Sequence, residues 1–207
     1  MTESGDETPR PERRGDLTRR RLFEAAEEIF TRLGYHAASI LSITQTATAG
    51  LGTFYLYFPT KLHIFAFLLQ KRRDQWTEET LRAAEGAPDE HVAVQRALAA
   101  HFNWIAQRPH LLPLFREAQF IDPSLVTELY LEPAKKLAER LSRSVETGTA
   151  PRTDPEVLAW FLIAAAEFAT LSCITWRDVD DVDEDRYATF LGVATQALGL
   201  GTTPGTR

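Results

Sequence analysis

Between Gly52 and Lys61 the chain gathers a glycine, the hydroxyls of Thr53, Tyr55 and Tyr57, and an ammonium in the run GTFYLYFPTK. Hydroxyls that donate to phosphate oxygens, beside a glycine that lets backbone approach closely, hold a polyanion in place. Lys61 falls in the first turn of a helix, next to N–H groups that themselves favour anions, and adds a point charge. Ser39 does likewise at the start of an earlier short helix. These groups position a phosphate backbone without reading it. Base edges fall to Gln45, Thr44, Thr46 and Thr53, with apolar contact from Leu51 to thymine methyls. Taken singly, Tyr55 and Tyr57 equally suit half-buried packing and Lys61 a solvated charge; the combination points to double-stranded DNA. Arg13, Arg14, Arg19, Arg20 and Arg21 precede or open the first helix, where a basic arm lies along phosphates or enters a minor groove.

A second group is apolar with a few polar members: His101, Trp104, Ile105, Phe115, Arg116, Phe120, Glu167, Phe168 and Leu171. Any helical core needs such residues. Pro113 and Pro133, however, fall inside helical patterns, where each removes a donor and predicts a kink, and kinked helices leave room between them. These residues are therefore candidates for contact with a sizeable, mainly apolar small molecule, oriented by a few polar groups. The five histidines show no metal-ligand spacing, and there is no P-loop or Rossmann glycine run, so no cofactor, metal or catalytic group is expected. The acidic run Asp178, Asp180, Asp181, Asp183, Glu184 and Asp185 lacks the glycine and terminal glutamate of a calcium loop and reads as an interhelix loop that caps the last helix.

The elements that must position these groups are all helical. Leu22, Ala26, Ile29 and Leu33 form one stripe of a first helix that Asp16 or Thr18 caps and Gly34 ends. Ser39 caps a helix of about two turns, and a third stretch, Leu51 to Phe58, stops before Pro59. Thr60 caps a long helix from Lys61 to about Gly86. Further helices are predicted at roughly 89–107, 109–120, 123–147, 155–176 and 184–199. The fold class is all-α, with a disordered tail over 1–16, a three-helix DNA-binding domain over 17–60, a helical ligand-binding and dimerisation domain over 61–200, and a flexible tail over 201–207.

Charge divides the chain in the same way. Residues 10–73 hold eleven Lys or Arg against five acids, an excess of +6; beyond 73, twelve basic residues face twenty-one acids, an excess of −9. The single cysteine, Cys173, rules out a disulfide scaffold and favours a reducing cytoplasm. The stretch 157–176 is long and apolar enough for a bilayer, but Glu167 near its middle and the lack of flanking basic clusters argue against a membrane span. A helix apolar all round is instead buried against its own domain and a partner; with Tyr187, Phe190, Leu191, Val193, Ala194 and Leu198 it predicts a homodimer through 155–176 and 184–199.

The run from Arg21 to Lys61 resembles the TetR family of one-component transcriptional regulators. The resemblance rests on Ala25, Ala26, Phe30, Gly34, Tyr35, Ser39, Ile43, Ala47, Gly52, Thr53, Tyr55, Phe58 and Lys61. It implies a helix-turn-helix, a four-helix dimer interface, an operator and a small-molecule effector. Thr48, Gly50 and Leu51 depart from the pattern, standing where a turn glycine, a capping serine and a polar residue are common. Two readings follow. One is a dimeric repressor released from a palindromic operator by an apolar effector. The other is a helical binding protein or enzyme whose helix-turn-helix is vestigial.

Overall fold

The computed structural model describes residues 14–148, 152–175 and 184–197, and among them every regular element is helical. The chain forms two compact units, which meet in sequence between Leu68 and Leu69. The expected tails lie outside the described residues, except that helix already begins at Arg14, three residues inside the expected N-terminal tail.

The first unit contains α1 (Arg14–Ala37), α2 (Ile40–Thr46), α3 (Leu51–Tyr57) and the start of α4 (Lys61–Ala84). Of the predicted stripe on α1, Leu22, Ala26 and Ile29 are buried together with Ala25 and Phe30, whereas Leu33, one residue before the interruption at Gly34, is 43 % exposed and lies outside the core face. Aromatic rings close the core. Phe30 meets Phe65 edge-on at 5.1 Å between centroids, Tyr35 lies 4.9 Å from Phe65, and Phe58 lies 5.5 Å from Phe67. Ile64, Phe65 and Leu68 are buried with them, so the first two turns of α4 belong to this unit.

Gly34 interrupts α1 with φ 73° and ψ 169°, the conformation expected of the residue that ends it. Ser39 and Ser42 form a reciprocal cap: the Ser42 N–H donates to Ser39 Oγ at 3.0 Å and the Ser39 N–H to Ser42 Oγ at 3.1 Å. Gly50 caps α3 without a side-chain bond, since glycine has no side chain to accept one. Thr60 Oγ1 accepts from the His63 N–H at 3.2 Å at the start of α4.

The second unit contains the rest of α4, then α5 (Glu90–Ala106), α6 (Leu111–Ile121), α7 (Pro123–Val126), α8 (Glu132–Glu146), α9 (Pro155–Thr170) and α10 (Glu184–Ala197). A π turn over Thr127–Leu131 joins α7 to α8, and a second over Leu171–Thr175 follows α9. The predicted break is absent at Pro113 and takes the form of a π turn at Pro133. Pro113 is the third residue of α6, inside the first turn, whose N–H groups have no intrahelical partner to lose. Pro133 is the second residue of α8, directly after the π turn, and the path from Pro123 to Glu146 stays helical. A wider turn is how a helix passes a residue that has no N–H to give.

α8 packs along α9, and α10 packs on both α9 and α5. Phe102 stacks on Tyr187 at 4.0 Å between centroids, and the Tyr187 hydroxyl donates to the Leu98 carbonyl at 2.9 Å. Burial and the neighbouring Cys173 push the Tyr187 hydroxyl pKa up. Arg140 on α8 donates to Glu90 on α5 at 2.8 and 3.3 Å. The segment Pro155–Ile174 is by length and composition apolar enough to cross a bilayer, yet half of its most apolar stretch is buried in the unit, with Leu158, Ala159, Leu162, Ala166 and Ala169 in the core. Of the acidic run, 176–183 lies outside the described residues, and Glu184 and Asp185 open α10.

Candidate nucleic-acid interface and candidate ligand cavity

α2 ends in a two-bond turn in which the Ala49 N–H reaches the Thr44 carbonyl at 2.9 Å and the Thr48 N–H the Gln45 carbonyl at 3.1 Å. The residue at its left-handed position is Thr48, with φ 50°. A β-branched residue thus occupies the place that favours glycine, and the turn is built in the usual way with the strain accepted. Arg21 on α1 holds it: its guanidinium donates to the Ala47 carbonyl and, at 3.0 Å, to the Thr48 carbonyl.

This turn presents α3 with Leu51, Gly52, Tyr55 and Leu56 exposed, Leu56 at 82 %. Gln45, Thr46 and Leu41 on α2 and the capping Ser39 are exposed as well. A Cβ added to Gly52 would meet nothing within 4 Å, so packing inside the chain does not require glycine there. Thr53 and Tyr57 are half-buried; the Tyr57 hydroxyl lies 3.3 Å from where a Gly15 Cβ would stand, against the start of α1. Leu41 and Leu56 join this face without a signal in the sequence. Nothing in their spacing separates an exposed leucine from a core one until α2 and α3 are packed.

Two sequence expectations for this face need correction. Thr44 is 2 % exposed and its hydroxyl donates to the Leu41 carbonyl at 2.9 Å, so it is not available to a base edge. Lys61 does not project its ammonium outward. It donates to the carbonyls of Tyr35 at 2.7 Å, Ala38 at 2.8 Å and His36 at 3.4 Å, and lies 4.3 Å from the Tyr35 ring centroid. An ammonium has three donors, and three carbonyls take them. Its role is to satisfy the carbonyls of the α1–α2 connection. Arg19 likewise lies 4.4 Å from the Phe67 centroid and Arg20 pairs with Glu24 at 3.8 Å, so the basic arm is partly engaged within its own unit; Arg13 lies outside the described residues.

In the second unit, α4, α5, α8 and α9 surround a cavity of about 210 Å³. His101, Trp104, Ile105, Phe115 and Glu167 line it, as expected. Four other expected residues do not. Phe120 is 78 % and Phe168 61 % exposed, Arg116 is exposed on α6, and Leu171 is buried in the core without reaching the cavity. Apolarity alone would turn every large group inward, whereas α9 buries one side and presents Val157, Phe161 and Phe168 on the other. The lining also takes in Trp76, Thr80 and Leu81 on α4 and Tyr130, Pro133 and Leu137 around the π turn, none of them expected. The α4 set is legible as a helical stripe of Trp76, Thr80 and Ala84 that continues beyond the basic run.

Polar groups are few in this lining and placed with care. The Tyr130 hydroxyl donates to the Glu167 carboxylate at 3.1 Å, and burial first, then the Glu167 charge, push the tyrosine pKa up. Arg73 donates to the Glu128 carbonyl at 2.7 Å and pairs with Asp74 at 2.9 Å. Burial lowers the His101 pKa to about 4, so the imidazole is neutral near pH 7. Among the described residues, no three His, Cys, Asp or Glu side chains are grouped as metal ligands.

Known proteins share this architecture. The sequence profile described as "Bacterial regulatory proteins, tetR family" matches residues 22–67, which take in most of α1, all of α2 and α3 and the start of α4. The HTH-type transcriptional activator FasR of Mycolicibacterium smegmatis is 32 % identical over 101 residues, which are 49 % of this chain and 44 % of that protein. The HTH-type transcriptional repressor KstR of Rhodococcus jostii is 25 % identical over 143 residues, 68 % of this chain and 65 % of that protein. The match thus spans less than half of the first relative's length. The fatty acid degradation regulator FadR of Bacillus halodurans has the same fold, with a TM-score of 0.70 at 18 % identity over 94 % of this chain and 100 % of that one. Residues 22–67 thus match the TetR family of bacterial regulatory proteins, and the chain shares the fold of the Bacillus halodurans regulator.

Proposed function

We propose that this chain is a cytoplasmic, homodimeric transcriptional repressor that holds a palindromic operator through α3 and its flanks and releases it when a small, mainly apolar molecule fills the cavity of the second unit. The observation that carries the DNA half is Gly52, an exposed helical glycine for which nothing inside the chain leaves a need. A phosphate backbone approaching α3 supplies that need. Ser39, Thr53, Tyr55 and Tyr57 then position the duplex, while Gln45, Thr46 and Leu51 face base edges. The relatives support regulation in both directions, one being an activator and one a repressor.

The dimer half rests on the outward apolar stripe Val157, Phe161 and Phe168 of α9 and on Phe190 and Val193 of α10, all more than 40 % exposed in the single chain. Paired by a two-fold axis, such faces make a self-complementary interface. One structural neighbour is a fatty acid degradation regulator, which is in keeping with an apolar effector. α4 contributes residues to both units, and an effector that favours one state of the dimer lowers operator affinity by its differential binding, ~1–3 kcal/mol in typical couplings. No membrane and no catalytic step enter this reading.

The test is selection of bound duplexes from a random DNA pool by the purified protein. A palindrome with half-sites about one helical turn, ~34 Å, apart, bound with a steep inverse dependence on salt, is the expected result. Failure of a folded dimer to enrich any sequence would turn the case to the second reading, a helical binding protein with a vestigial helix-turn-helix, which the apolar surface of Leu41, Leu51 and Leu56 favours. Phe161→Glu with Phe168→Glu should yield a monomer by analytical ultracentrifugation and remove operator binding.

A further inference from the structure

His101 lies on α5 with its ring in the cavity lining. Trp76 on α4 donates its indole N–H to His101 Nδ1 at 2.9 Å, with the two rings 5.6 Å apart and 76° to one another. An indole nitrogen only donates, so Nδ1 must carry the lone pair and the neutral ring must hold its proton on Nε2. That Nε2 is buried and has no hydrogen-bond partner within the protein. One turn further along α5, the Trp104 indole N–H is likewise buried without a partner. Folded proteins leave few buried donors unpaired, and one in the wall of an apolar cavity marks the place where an incoming molecule supplies the acceptor.

The charge around the site restricts that acceptor. Glu167 also lines the cavity, and of the lining cations Arg140 is bound to Glu90, Arg73 to Asp74, and Lys136 is exposed. A carboxylate pushed into the apolar interior would meet a like charge and lose its hydration. We propose that the effector carries a neutral carbonyl-type oxygen that accepts the His101 Nε2–H bond, with Trp76 as the positioning residue that fixes the tautomer. The inference rests on the cavity being the effector site, as proposed above. Specificity then lies in one donor: a site built to hydrogen-bond its ligand rejects the analogue that lacks the acceptor, because the buried donor stays unpaired.

The full-length protein titrated with octan-2-one, octane and octanoate tests this. The ketone should bind roughly tenfold more tightly than the alkane, the size of one neutral hydrogen bond, and more tightly than the carboxylate. His101→Leu should bring the ketone and alkane affinities together while keeping alkane binding. Nitrogen-15 NMR of the wild-type histidine side chains, with Trp76→Phe as comparison, reads the tautomer without disturbing His101: an Nε2–H signature that is lost in Trp76→Phe supports the inference. Equal binding of ketone and alkane, an unchanged preference in His101→Leu, tighter binding of octanoate, or an Nδ1–H signature would overturn it. If none of the three probes binds, the cavity as effector site fails as well. Ketone binding that leaves the operator complex intact counts against the regulatory coupling alone.

Discussion

The two units treat their polar groups in opposite ways. In the N-terminal unit, Lys61 caps three carbonyls, Arg21 two, and Arg19 lies over an aromatic ring, so cations that the sequence offers to DNA are engaged in holding helices and turns. In the C-terminal unit, His101 and Trp104 keep buried N–H groups with no acceptor. Closing the polar inventory of a small unit makes its outer face rigid, which suits a surface that must match a duplex. Leaving donors open inside an apolar hole costs stability and, under the function proposed above, directs the molecule that fills it.

That contrast is open to attack at four points. The largest effect belongs to His101. Its folded pKa of about 4 lies below the ordinary 6.5, so between these values the unfolded chain binds more protons and stability falls as pH drops. The contribution is fully present above pH 6.5 and is lost progressively towards pH 4, a loss of about 3 kcal/mol from the size of the shift. Chemical denaturation across that range should show the slope in the wild type and a flatter one in His101→Leu. Next, Lys61→Ala should lower the stability of the N-terminal unit by ~2 kcal/mol, read by denaturation without DNA; a variant that melts normally yet loses operator affinity would restore the phosphate role and erase the contrast.

Gly52→Ala separates folding from binding. An alanine is favoured over glycine inside a helix by ~0.5–1 kcal/mol and meets no neighbour here, so the variant should be at least as stable as the parent. Fluorescence anisotropy should nonetheless show operator affinity reduced by about tenfold, ~1.4 kcal/mol. The smallest effect is expected for Thr48→Gly. Relief of the left-handed threonine, ~1–2 kcal/mol, is offset in part by the greater freedom of glycine in the unfolded chain, ~0.4–1 kcal/mol. A rise in melting temperature of a few degrees would confirm that the turn stores strain; a fall would show that Arg21 and the threonine side chain have removed it.

Local features were the ones legible in sequence. Ser39, Gly34 and Thr60 act on backbone groups within a few residues of themselves, and each does what its chemistry predicts. His101, Trp104 and Ile105 share one face by spacing alone and all reach the cavity. What escaped depends on groups far apart in the chain. The carbonyls that capture Lys61 lie 23 to 26 residues upstream, and no periodicity announces them. Phe161 and Phe168 differ from Leu162 and Ala166 only in the direction they face on α9, which is fixed by where α8 and α10 pack. Pro133 pointed to a distortion at the right place, but the chain met it by widening a turn.

That widened turn has the form of a single inserted residue. Leu129 and Tyr130 lie within it, and Pro133, Leu137 and Arg140 follow on α8, yet all reach the same cavity wall. At ~100° of rotation per residue, deleting one position between Thr127 and Leu131 would swing Leu129 and Tyr130 a quarter-turn away from the residues downstream. Under the proposed function, the gain or loss of one residue in this segment would recast the cavity wall with no substitution among the other lining residues.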